Sequence, residues 1–151
     1  MFTDVLGGIS DDTGFKAPCR VATTADLGTS LLGLPVIDGV QLVSGDRVLV
    51  WKQADQTTNG LYTAATGAWS RAIDFSSSSS ILRGTQVLVT DGTLYGSTVF
   101  SCQVSRPTIG ASAITFLPAP TISPAYLASL PTTLPATSGQ PWNNGGVLCI
   151  S

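Results

Sequence analysis

The stretch GDRVLVWKQADQTTNGLYTAATGAWSRAIDF, residues 45–75, decides how the chain is read. Within it Val48-Leu49-Val50-Trp51 is a short, continuous apolar run, the pattern of a central strand buried on both faces. Leu61-Tyr62 and Trp69 follow on further short runs. Between them stand Asn59-Gly60 and Thr66-Gly67, pairs that tolerate the positive φ angles of tight turns. The same grammar continues in both directions. Strand-type runs occupy residues 20–24, 36–42, 47–52, 60–65, 69–71, 84–90, 98–104 and 114–117, punctuated also by Asp38-Gly39, Gly45-Asp46 and Asp91-Gly92. Short runs separated this regularly by turn residues predict an all-β protein, a compact β-sandwich or barrel-like domain.

That domain spans residues 18–117, behind an N-terminal arm at 1–17 that is rich in Gly and Asp. The run of serines at 76–80 has nothing to bury and reads as a mobile surface loop. Composition then changes. Six of the nine prolines lie between Pro118 and Pro141, and proline removes a ladder donor, so 118–151 reads as an extended Pro-rich arm. One short helix fits inside it: Ser123 can cap, Pro124 suits the first position, and Pro131 stops the helix after Leu130. Tyr126, Leu127 and Leu130 give that helix an apolar face. Past Trp142 the chain ends on Val147-Leu148-Cys149-Ile150, four apolar residues where chains normally fray, which predicts a terminal strand docked in this subunit or the next. Tyr126, Leu127, Leu130, Trp142, Val147, Leu148 and Ile150 are therefore the candidate assembly contacts.

Charged residues make up only 11% of the 151-residue chain, against about 25% in ordinary soluble domains. So few charges imply an exterior largely covered by other subunits, the alternative being a monomer with a Ser/Thr-rich surface. The net charge is −2, the nine acids are all Asp, and no basic run offers a phosphate-tracking stripe, so nucleic-acid binding is not expected. No apolar stretch is long enough to span a membrane, and the opening Met-Phe-Thr-Asp-Val lacks the positive region of a signal peptide.

The chain contains no His, which removes the commonest general base, Ser-His and Cys-His pairs and most zinc sites. Two-carboxylate glycosidase chemistry needs only Asp, and Asp46, Asp55, Asp74 and Asp91 are available, but most sit where Asp caps turns. Asp46-Arg47 and Arg71 with Asp74 suit structural ion pairs, or an Arg stacked on a Trp face. No clustered calcium loop exists, and no metal, cofactor or catalytic residue is expected. Cys19, Cys102 and Cys149 are far apart and odd in number; they read as small buried hydrophobes, or as partners in a disulfide within or between subunits. Trp51, Tyr62 and Trp69 could form one aromatic patch. Core packing is one use of it, and a sugar-stacking platform built on Trp51 and Trp69 is the other.

The order VATT (21–24), IDG (37–39), GDRVLV (45–50), NGLY (59–62), W-x-R (69–71), D-F (74–75), a strand opening on Gly84-Thr85 and a closing Thr115-Phe116 resembles a module of tailed-phage tail-fibre and related virion proteins. The final LPTTLPATSGQPWNNGGVLCIS resembles the C-terminal ends of small phage structural proteins. The chain departs from the frame at Trp51, where a small or polar residue is expected, and at 76–80, where the loop is usually more acidic; residues 27–35 are undistinctive. The resemblance implies a trimeric virion subunit of a tail fibre, a neck or collar fibre or the capsid surface, made in the host cytoplasm. Such a subunit contacts its own copies and other phage structural proteins, and no catalytic residue comes with it. The alternative is a tail-fibre module that binds a host-surface glycan or receptor.

Overall fold

The computed structural model describes residues 14–119 and 128–151, and the chain divides into two compact units, Met1–Ala119 and Pro120–Ser151. The protein is all-β. Helical structure among the described residues is confined to single 3-10 turns and to residues 128–129.

The first unit is built around a four-stranded sheet of β1 (Val21–Ala22), β4 (Arg47–Val50), β5 (Gly60–Thr63) and β6 (Ser70–Arg71), in that spatial order. β4 and β5 are antiparallel with Leu49 opposite Leu61, whereas β1 runs parallel to β4. A second, antiparallel sheet consists of β7 (Gln86–Val89), β8 (Thr98–Cys102) and β9 (Phe116–Pro118). One stretch of chain stitches the two together. The Cys19 N–H donates to the Leu88 carbonyl, and one residue later the Arg20 N–H donates to the Arg47 carbonyl of the other sheet. None of the four sheets among the described residues closes into a barrel.

The apolar run that opened the case is buried on both faces, as its composition predicts. Side chains alternate along a strand, so Leu49 enters one core with Ala22, Leu61, Val87, Val89 and Phe100. Val48 and Val50 enter a second core with Val21, Leu42, Tyr62 and Trp69. The β7–β9 sheet covers the first core. Leu27, Leu31, Leu34 and a small hairpin cover the second; the hairpin pairs β2 (Val36–Ile37) with β3 (Val40–Gln41).

Several local expectations change. The run at 36–42 is not one strand but this hairpin, reversed at Asp38 and Gly39, whose φ angles are +50° and +80°. Asn59-Gly60 is not a hairpin turn. A 3-10 turn at Gln56–Thr58 makes the reversal, Asn59 is extended, and its side chain is buried. The serine run at 76–80 lies at the surface and contains a 3-10 turn, Ser78–Ser80, in which Ser78 donates to the Pro107 carbonyl.

In the second unit β10 (Pro141–Asn144) and β11 (Val147–Ile150) form an antiparallel hairpin through Gly145-Gly146, so the apolar C-terminus pairs with its own chain. Ser123 to Leu127, most of the expected helix, lies outside the described residues; of its remainder, 128–129 are helical and Leu130 is a bend.

Candidate functional site

The polar residues at the turns and strand ends of the first unit are engaged in holding the chain together. Arg20 bridges two carboxylates, with Nη1 2.7 Å from Asp46 Oδ2 and Nε 3.2 Å from Asp91 Oδ2. Asp46 Oδ2 also accepts from the Val43 N–H and so closes its own turn. Arg47 makes a two-pronged pair with Asp74, both contacts at 3.0 Å, and donates to the Ala17 carbonyl. The expected Arg71–Asp74 pair is therefore not the one formed. Arg71 donates to the carbonyls of Thr57 and Asn59 and stacks on Tyr62, 5.0 Å from the ring centre, rather than on a Trp.

Asp38 and Asn59 tie distant segments of the first unit together. The Asp38 carboxylate accepts from the N–H groups of Leu94 and Tyr95 and shapes a loop that brings Tyr95 onto Trp51. Asn59 accepts from the Gln53 N–H and donates to the Ile114 carbonyl, linking a turn to a distant loop. Gly60, at φ +151°, lies beneath the Arg71 guanidinium, where a Cβ would collide with Nη1. Asp55 caps the 3-10 turn, and its bonds from the Thr57 side chain and backbone hold its carboxyl below the usual range. Among the described residues no cluster of three or more metal-ligating side chains occurs.

The two candidate ligand aromatics lie apart. Trp51 packs edge-on against Tyr95 and Phe100 beside the first core, under the Lys52 ammonium, 4.8 Å from its ring centre. Trp69 belongs to the second core with Tyr62, and its indole N–H donates to the Gly33 carbonyl. They form no single platform. Trp69 and Tyr62 instead floor a groove of about 340 Å³ walled by residues 28–32 and Gln53. An adjoining depression of about 240 Å³ shares Gly28, Thr29, Gln53 and Thr58 and adds Asp26 and Asp55. The loop at 27–35 that builds these walls lacks any motif; the glycine at each end, Gly28 and Gly33 at φ +80° and +76°, is its one local signal.

Of the candidate assembly contacts, Tyr126 and Leu127 lie outside the described residues. Leu130, Trp142 and Leu148 are half-buried, and Val147 and Ile150 are exposed. No described residue of Pro120–Ser151 is buried. A further feature of this region is visible when charge is counted by position: no Asp, Glu, Lys or Arg follows Arg106.

All three cysteines are free, with Cys19 and Cys102 buried in the first core. Burial pushes the Cys19 thiol up from 9.0 to about 12, only partly offset by the neighbouring Arg47 guanidinium, and raises Cys102 as well. A folded-state pKa above the unfolded one means the thiol's contribution is intact below pH 9 and is lost as pH rises from 9 towards about 12. Both thiols should resist thiol reagents in the folded chain and react fully in denaturant, as reagent uptake will show.

Comparison with protein-family models, with curated proteins and with solved structures gives no match.

Proposed function

We propose that this chain is a structural subunit of a phage particle, in a tail fibre, a neck or collar fibre or on the capsid surface, and works by assembly. One observation carries the assembly part: the second unit has no buried residue among those described, and no charged side chain. An isolated two-stranded hairpin is marginal in water, and chains of fewer than about 40 residues rarely build a sufficient core. The hairpin satisfies its backbone, with Ser151 exchanging bonds with Gly139 and Gln140, but leaves Val147, Ile150 and Leu134 in solvent. Such a surface gains by burial against another apolar surface.

Other copies of this chain are the partner that suits it best. A charge-free surface has no electrostatic means of selecting an unlike partner, and identical charge-free surfaces meet without repulsion. The frame from Val21 to Phe116, through its resemblance to tailed-phage virion modules, supports the phage context and the expectation of a homotrimer that contacts other virion proteins. Its polar residues serve the fold, so no reaction is assigned to them.

Placing charge on the hairpin tests this. Val147→Asp combined with Ile150→Asp should reduce the solution mass towards that of one chain while leaving the thermal transition of the first unit in place. An unchanged oligomer would remove the hairpin from the interface.

A further inference from the structure

We infer that β11 pairs edge to edge with β11 of a second copy, antiparallel and about a two-fold axis at Cys149. Two two-stranded hairpins then become one sheet of four strands. This pairing rests on the assembly reading and specifies its contact.

The hairpin has one open edge. The Ser151 N–H donates to the Gln140 carbonyl, so these two residues form a hydrogen-bonded pair. Such pairs alternate along an antiparallel ladder, and the next ones are Trp142 with Cys149 and Asn144 with Val147. The backbone groups of Pro141, Asn143, Leu148 and Ile150 therefore point away from the hairpin. On β10 neither residue offers a free donor. The Asn143 N–H donates to the Pro131 carbonyl, and Pro141 has no N–H. On β11 the N–H and carbonyl groups of both Leu148 and Ile150 have no partner among the described residues. Native edges are commonly blunted by a charge or a proline, and β11 carries neither.

A second copy fits this edge because the edge is complementary to itself. About an axis at Cys149, the Leu148 N–H and carbonyl meet the carbonyl and N–H of the partner's Ile150, and the reverse pair does the same. Every open group then has a partner. An axis at Leu148 would call on the Gly146 N–H, which already donates to Asn143 Oδ1. No like charges meet, because no charged residue follows Arg106. An isolated hairpin is marginal, whereas three or more strands with an apolar face are independently stable. Side chains alternate along each strand, so Trp142, Val147 and Cys149 of both copies line one face of the joined sheet.

The register also sets Cys149 directly opposite its counterpart, as a non-hydrogen-bonded pair. Cα atoms in such pairs are about 4.5 Å apart, inside the range of about 4.4–6.8 Å that a disulfide spans. A two-fold contact joins chains, or trimers of them, in pairs.

The test oxidises the intact, reduced chain with diamide, which takes up the two protons and two electrons released as a sulfur–sulfur bond forms. Cys19 and Cys102 are fully buried, which leaves Cys149 to react. A covalent dimer should appear on a non-reducing gel, with a peptide joining Cys149 to Cys149, and Cys149→Ser should lose it. Moving the thiol reads the register. In Cys149→Ser with Ile150→Cys, the two sulfurs sit on diagonal positions roughly 7–8 Å apart, and the cross-link should be lost. Ile150→Pro removes one outward N–H and no bond within the hairpin, and should also lose the bond at Cys149. Absence of the Cys149–Cys149 bond overturns the inference, as does an equally fast cross-link in the Ile150→Cys chain. Sedimentation separates this failure from that of assembly itself. A multimer without the Cys149 bond ends the edge pairing alone, whereas a single chain ends both.

Discussion

Asn59→Ala is expected to destabilise the first unit by about 3 kcal/mol, lowering its melting temperature by roughly 10 °C. The amide is buried and bonded at both ends, to the Gln53 N–H at 3.1 Å and to the Ile114 carbonyl at 2.9 Å. Truncation strands two backbone groups away from water, each at a cost of about 1–3 kcal/mol. Asn59→Asp separates the two bonds. A carboxylate still accepts from Gln53, but it sets an acceptor against the Ile114 carbonyl, so at neutral pH the loss should be at least as large. Protonation restores a donor, so the gap from the unmodified chain should narrow as pH falls. Thermal melts of the three proteins across pH check this; an unaltered melting temperature for Asn59→Ala would exclude the bridging role.

Asp74→Ala is expected to cost about 2 kcal/mol, the scale of hydrogen bonds to a charged group. Both side chains of the Arg47–Asp74 pair are only about a fifth exposed, at 21% and 20%, so solvent replaces the lost partner poorly. The Arg47→Met, Asp74→Leu double variant should recover much of the loss, because the penalty lies in the stranded charge more than in the missing attraction. A double-mutant cycle in urea measures this; losses that simply add would show that the two residues act separately.

These two sites mark how far the sequence could be read. The central strand was legible because Val48, Leu49 and Val50 form an apolar run, whereas the Asp38-Gly39 reversal splits a run at 36–42 that reads as one strand. Asn59 was misread because its neighbour is Gly60, and Asn-Gly is a turn signal. Its actual partner, Ile114, is 55 residues away, and no local pattern reports such a bond. The pairing of Arg47 with Asp74 was hidden for the same reason. Trp51 and Trp69 looked like one patch in a linear reading, yet each joins a different core. The groove was invisible because its walls come from a loop without a motif, positioned by Gln53. The exposed apolar C-terminus was legible as a strand seeking a partner, and that strand pairs with Pro141–Asn144. What its outer surface meets depends on other molecules.

Assembly through that surface is the central claim, and sedimentation equilibrium of the intact chain at micromolar concentration tests it most directly. The account predicts a mass that is a multiple of 15.5 kDa, three chains by the resemblance. A single species of 15.5 kDa that remains folded across the concentration range would contradict it.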